Sequence, residues 1–389
     1  MNKAILFKKI AAANIKNQDS IIPQIPVVEK ELKCDKIIQP GIKYFSGPYD
    51  YKVTFENKDY QHPVNLTKLF FTFTINGIEK SRILFLSTGH SFAESSYKTE
   101  LNNRIHKTSI QQIFVDSNVF YSMDDEFNDF CLIAFDNSLN IQRDNYLLFN
   151  KTNYLINSVC RNMDIKFLEN EILIKNGFNT GETRTKPVIN FQNDVYLISK
   201  KNNYTYYTFK INGKIVIINT KFASGLVVKT ETSSISKFNN EPITDIKHNE
   251  LLEYYFINSI KEFRYHELFQ AIDLNLDNIK KYYIKYKETN CLTVTSMMGD
   301  SGCGFFRLIP DNNLEFVGIN IGGCPMIILS EIKLTNNIIN WSNEKEKLVF
   351  GKYVIEQVHR AGQVLPINQI EQLINSCLPL NIKITEIGV

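Results

Sequence analysis

From Tyr51 to Phe135 the chain is a series of short β-branched and aromatic runs parted by turns, and this pattern restricts the fold more than any other feature. The runs are Tyr51 to Phe55, Leu69 to Ile75, Ile83 to Ser87, Ser109 to Val115 and Phe130 to Phe135, with Asn76-Gly77 among the turns. Segments this short, rich in residues that suit a pleated surface, predict strands rather than helices. Their succession predicts an antiparallel β-barrel, which closes on itself and leaves no open edge. Further on, Asn212-Gly213 joins two apolar runs, Tyr204 to Ile211 and Lys214 to Asn219. Asn-Gly supplies the positive φ angles of a type I′ turn, so a tight hairpin is expected there. With 43% hydrophobic residues in 389, the chain has enough apolar side chains for one large or two ordinary domains.

The stretch that carries chemistry is Met298-Gly299-Asp300-Ser301-Gly302-Cys303-Gly304. Glycines on either side of a serine let the backbone bend sharply, present two N–H groups to one point and admit a substrate carbonyl. Gly-Asp-Ser-Gly is also ordinary turn chemistry, so its meaning depends on partners. A serine hydroxyl needs a base to take its proton, and the base needs a group to fix its tautomer. Of six histidines, His90 follows the apolar run Ile83-Leu84-Phe85-Leu86 through Ser87-Thr88-Gly89, at the mouth of a buried strand. Asp129 opens another such strand, Phe130 to Phe135, and is preferred to the nearby Asp124 and Asp125 because it directly precedes the apolar run.

These motifs resemble those of the chymotrypsin-like (trypsin-like) serine protease family. Thr88-Gly89-His90, Asp129-Phe130-Cys131-Leu132-Ile133 and Gly299-Asp300-Ser301-Gly302 are similar to its three signature motifs, in its order of His, Asp, Ser. Phe316 to Pro325 is similar to the strand and glycine wall that bind substrate backbone. Pro325 through Trp341 is similar to the last strand and closing helix. The resemblance implies an all-β fold of two antiparallel six-stranded β-barrels: residues 46–150 with His90 and Asp129, and 151–341 with Ser301, the active site lying between them. It implies a serine endopeptidase in which Ser301 attacks, His90 is base and then acid, Asp129 orients His90, and the N–H groups of Gly299 and Ser301 form the oxyanion hole. Substrate would lie against Thr295, Ile321, Gly322, Gly323 and Met326, with Thr295 as pocket floor and Met326 on its wall. A threonine in place of a carboxylate there implies an uncharged, small or medium side chain on the acyl-side residue. In activated members the aspartate matching Asp300 pairs with a new N-terminal ammonium; the nearest cleavage sequence here, Lys36-Ile37-Ile38-Gln39, is poor. Either no activation step or another partner for Asp300 follows.

The distance from Asp129 to Ser301 is long for such a fold, which predicts an insertion at about 185–288 containing the hairpin and, over 245–285, amphipathic helix. That insertion is also where a partner or regulator would bind. Residues 1–45, with Pro23, Pro26 and Pro40, read as a leader, and 342–389 as a C-terminal extension in which Pro366 to Cys377 forms a helix burying Ile367, Ile370, Leu373 and Ile374. A net charge of +3 with scattered lysines argues against nucleic acid as partner, and no apolar run is long enough to span a bilayer. The first ten residues hold too short an apolar core for a signal peptide, and seven cysteines fit no tidy disulfide framework, so an intracellular (cytoplasmic) protein is expected, with virus-encoded origin left open. No metal or other cofactor is implied. Two alternatives stay open: a protease-like binding module without activity, and a cysteine protease using Cys303.

Overall fold

A computed structural model describes residues 31–32, 46–55, 58–75, 77–92, 98–100, 105–134, 146–163, 171–231, 235, 237–238, 241–270, 274–288, 292–331, 349–350, 353–377 and 382–384. The expected leader lies outside these but for residues 31–32. The described chain is mostly strand, gathered into two large sheets.

In the first sheet, β1 (Ser46–Phe55), β2 (Lys58–Ile75) and β3 (Ile78–Ser87) form an antiparallel meander. Ile75 faces Ile78 across Gly77, whose φ of 78° suits the tight turn read from the sequence. Next, β4 (Val119–Asp124) and β5 (Asp129–Ala134) pair as a hairpin, and β5 lies against β3. The strand expected over Ser109 to Val115 is not one: Gln112–Phe114 is a 3-10 turn. Ser109 and Gln112 bond each other's backbone N–H through their side chains, a local alternative to a ladder. Ile113 and Phe114 still reach the core.

The second sheet contains β6 (Leu173–Gly177), β7 (Gly181–Asn190), β8 (Tyr204–Ile211), β9 (Lys214–Asn219), β10 (Leu226–Thr230), β11 (Gly304–Ile309), β12 (Asn313–Glu331) and β13 (Tyr353–Pro366). Pairing runs β12-β11-β6-β7-β10-β13, and β13 also pairs along β12 from Gly318↔Pro366 to Glu331↔Tyr353. The 8–9 hairpin turns at Asn212-Gly213, both at positive φ, and β9 joins the far half of β12.

Two expected boundaries change. The insertion does not run from 185 to 288, because β7 and β10 within it are strands of the main pairing path, held by contacts such as Thr185↔Thr230. Nor does the last strand begin at Pro325: Pro325 to Glu331 continues β12, and residues 332–348, Trp341 among them, lie outside the described residues. The strand-then-helix order appears instead in β13 and the helix after it, inside the stretch read as an extension. Polar residues hid β13 from a hydrophobicity reading, yet His359 and Gln363 have hydrogen-bond partners inside the fold. His359 accepts from Thr293 Oγ1 at Nδ1 and donates from Nε2 to Gln357, and burial pushes its pKa down to about 3, so it stays neutral.

Helices α1 (Asp245–Glu262) and α2 (Leu276–Glu288) occupy the region expected to be helical. Thr244 caps α1 by accepting from Lys247 N–H. The pair buries Leu252, Phe256, Ile260, Ile279 and Tyr283 against Ile217, Ile327 and Val358 of β9, β12 and β13. Helix α3 (Ile367–Cys377) buries Ile367, Ile370 and Ile374 in a core shared by both sheets, with Leu69 and Leu84 on one side and Phe316 and Leu365 on the other. Leu373 packs partly buried beside them. Among the described residues no helix is long and apolar enough to cross a membrane.

Candidate active site

The register of β3 and β5 brings the first two candidate residues together. Ser87 pairs with Cys131, so the chain leaving β3 runs back past Phe130 and Asp129. Gly89 makes that passage tight: a Cβ there would stand 1.5 Å from the Met123 carbonyl oxygen. One oxygen of the fully buried Asp129 carboxylate accepts from the His90 backbone N–H at 2.8 Å, and the other meets His90 Nδ1 at 2.7 Å. The other ring nitrogen, Nε2, lies 3.0 Å from Ser301 Oγ. The neighbouring acids are otherwise engaged. Asp124 pairs with Lys221, and Asp125 accepts from the N–H groups of Phe127 and Asn128 in the 4–5 turn.

Backbone orientation around Ser301 follows from what holds the carbonyls. Gly299 sits at φ 94°, and a Cβ there would meet Asn179 Nδ2 at 2.7 Å, so only glycine fits. Asn179 Nδ2 donates to the Met298 carbonyl, and Asn320 Nδ2 donates to that of Asp300. In a trans peptide the N–H points opposite the C=O. The N–H groups of Gly299 and Ser301 are therefore turned away from these clamps, and neither donates to any described residue. Asn65, from β2, fixes the next carbonyls along, donating to Gly299 O at 2.8 Å and Ser301 O at 3.0 Å.

Asp300 has the partner that the sequence left open. Its carboxylate is fully buried and forms an ion pair with the equally buried Lys175 of β6, Nζ to Oδ2 3.1 Å. It also accepts from the N–H groups of Asn179, Thr180 and Met297 and from Thr180 Oγ1, which Lys175 bonds in turn. Asn179 and Thr180 belong to the Gly177-Phe178-Asn179-Thr180-Gly181 loop, closed by the Gly177↔Gly181 pair. The ammonium thus comes from a side chain within the fold.

A cleft of about 360 Å³ opens beside His90 and Ser301, and Ile321, Gly322 and Gly323 are among the residues that line it. Thr295 is buried behind it, its Oγ1 accepting from Thr230 N–H, while Met326 does not reach it at all. Met326 faces the opposite side of β12, in a cluster with Ile189, Tyr207 and Val227. Pro325, Arg360 and Glu262 stand on the wall instead. An uncharged pocket was expected from Thr295 and Met326; among the cleft-lining side chains are instead the guanidinium of Arg360 and the carboxylate of Glu262.

Cys303 is no candidate nucleophile in this geometry. It is fully buried, and burial pushes its thiol up to about 12, so thiolate is scarce near neutrality. Among the described residues no group of three His, Cys, Asp or Glu is placed to hold a metal ion.

Lys175, Asn65, Arg360 and Glu262 escaped the sequence reading, as did the hold of Asn179 on the Met298 carbonyl. Only Lys175 left a local signal there, as a lone charge within the short apolar strand Leu173-Ile174-Lys175. No protein-family model matches the chain, and no curated protein matches it.

Proposed function

We propose that the chain is a serine endopeptidase of the chymotrypsin-like kind, acting on protein or peptide substrates. One observation carries the reading: Asp129, His90 and Ser301 form a continuous hydrogen-bonded relay whose far end lies beside two backbone N–H groups that have no acceptor among the described residues. The two-barrel architecture is part of the proposal. It is supported by the pairing path of the second sheet, which starts and ends on β12 and passes through six strands.

In the proposed reaction Ser301 Oγ attacks the scissile carbonyl as His90 Nε2 takes its proton. The carbonyl oxygen becomes an oxyanion held by the N–H groups of Gly299 and Ser301. Asp129 keeps the remaining ring proton on Nδ1 and stabilises the imidazolium. Collapse breaks the C–N bond, His90 gives its proton to the leaving amine, and water then cleaves the acyl-enzyme by the same steps in reverse roles. The buried Asp300–Lys175 pair holds the loop in this shape, so no new N-terminus is needed.

A fluorophosphonate probe tests the nucleophile. The intact chain and Cys303→Ala are expected to take up one phosphonyl group each, and Ser301→Ala none, as read by mass. Labelling retained in Ser301→Ala, or lost only in Cys303→Ala, contradicts the proposal. A folded chain that takes up no probe supports the binding-module alternative.

A further inference from the structure

The proposed reaction leaves Arg360 and Glu262 unexplained. Arg360 comes from β13 and Glu262 from the last turn of α1, so a helix expected to be an insertion supplies part of the cleft wall. A Cβ on Gly323 would stand 3.1 Å from Arg360 Nε, which places the guanidinium stem in the space this glycine leaves open beside Ser301. The group is poorly satisfied. Among the described residues its Nε is buried without an acceptor, its nearest carboxylate oxygen is Glu262 Oε1 at 3.7 Å, and the ring face of Tyr255 lies at 5.5 Å. An incompletely satisfied guanidinium costs free energy that a ligand oxygen at its cleft-facing nitrogens would recover. Lys221, the other cation on this wall, is already paired with Asp124 at 2.9 Å.

Resting on the serine endopeptidase reading, we infer that Arg360 selects substrates with Asp or Glu as the residue contributing the scissile carbonyl. A guanidinium offers a carboxylate charge-assisted N–H bonds, and the Arg360 side chain, 21% exposed on the cleft wall, has no hydrogen-bonded acceptor among the described residues. Glu262 holds Arg360 in place from the other side. It is also a competitor for the same cation, because burial pushes its carboxyl up and only Arg360 pulls it back down. A long basic side chain fits poorly: the Arg360 stem occupies the space beside Gly323, and its guanidinium would repel a second cation brought to Glu262.

The test is kcat/KM for fluorogenic peptides that differ only in the acyl-side residue, Glu, Gln, Lys, Arg, Ala or Leu, with fluorophosphonate labelling of Ser301 followed in parallel. The intact chain is expected to prefer Glu to Gln by about tenfold or more. Arg360→Gln is expected to abolish that ratio and Arg360→Lys to keep part of it, while Glu262→Gln raises it severalfold. The ratio is taken within each variant, so a general loss of activity does not imitate the effect. Labelling of Ser301 with Gln, Ala or Leu preferred to Glu, or with the ratio unchanged in Arg360→Gln, overturns the specificity and leaves the peptidase reading standing. A preference for Lys or Arg assigns the pocket to Glu262 and overturns it equally. Absence of both labelling and cleavage overturns both.

Discussion

Asp129→Asn is expected to slow fluorophosphonate labelling of Ser301 by a factor on the order of 10⁴ while leaving the fold intact. The effect comes from the tautomer. Asp129 meets both the backbone N–H and Nδ1 of His90, so the ring proton sits on Nδ1 and Nε2 is free to accept from Ser301. In the asparagine the amide oxygen keeps the backbone N–H and the amide N–H₂ turns to Nδ1. The ring proton then moves to Nε2, which faces Ser301 as a donor and takes no proton from it. Because a neutral amide is cheaper to bury than a carboxylate, thermal stability is expected to change little. A labelling rate within tenfold of the parent would mean that another group orients His90.

Lys175→Met is expected to cost both stability and reactivity. The Lys175–Asp300 pair is fully buried, and removing one partner of such a pair typically costs about 3–5 kcal/mol, since the remaining charge is stranded. Asp300 would keep its N–H donors from Asn179, Thr180 and Met297 but not its counter-charge. Those same bonds help fix the backbone that carries the Gly299 and Ser301 N–H groups of the proposed oxyanion hole. Loss of one such donor costs roughly a hundredfold in rate, and labelling is expected to fall at least that far. The double variant Lys175→Met with Asp300→Asn removes both charges and is expected to regain much of the lost stability, because neither buried group is then ionised. Labelling at the parental rate in Lys175→Met would show that the loop is held without this ammonium.

The residues of the proposed relay were legible because each stands at a local boundary. His90 and Ser301 follow or adjoin glycines that a tight backbone requires, and Asp129 opens a strand that is buried along its whole length. What was missed depends on contacts between distant segments. Asn65 acts on Gly299 and Ser301 far along the chain, and Arg360 meets Glu262 only because α1 packs over β13. No periodicity records such meetings. The strand β13 was hidden for a different reason: its His359 and Gln363 are polar but hydrogen-bonded inside, Gln363 donating to the carbonyls of Phe222 and Ser224. A polar residue that is satisfied locally can occupy a core strand at little cost, and hydrophobicity alone does not register it. The helices were legible in place, but the contribution of α1 to the cleft wall through Glu262 was not.

The most direct test of a serine acyl-enzyme formed by an unprocessed chain is the mass of the intact protein after brief mixing with an active ester and quenching in acid. The expected result is a single acyl group on the peptide containing Ser301, on a chain that has lost no residues. An acyl group elsewhere, none at all, or one that forms only after cleavage ahead of Ile37 would contradict it.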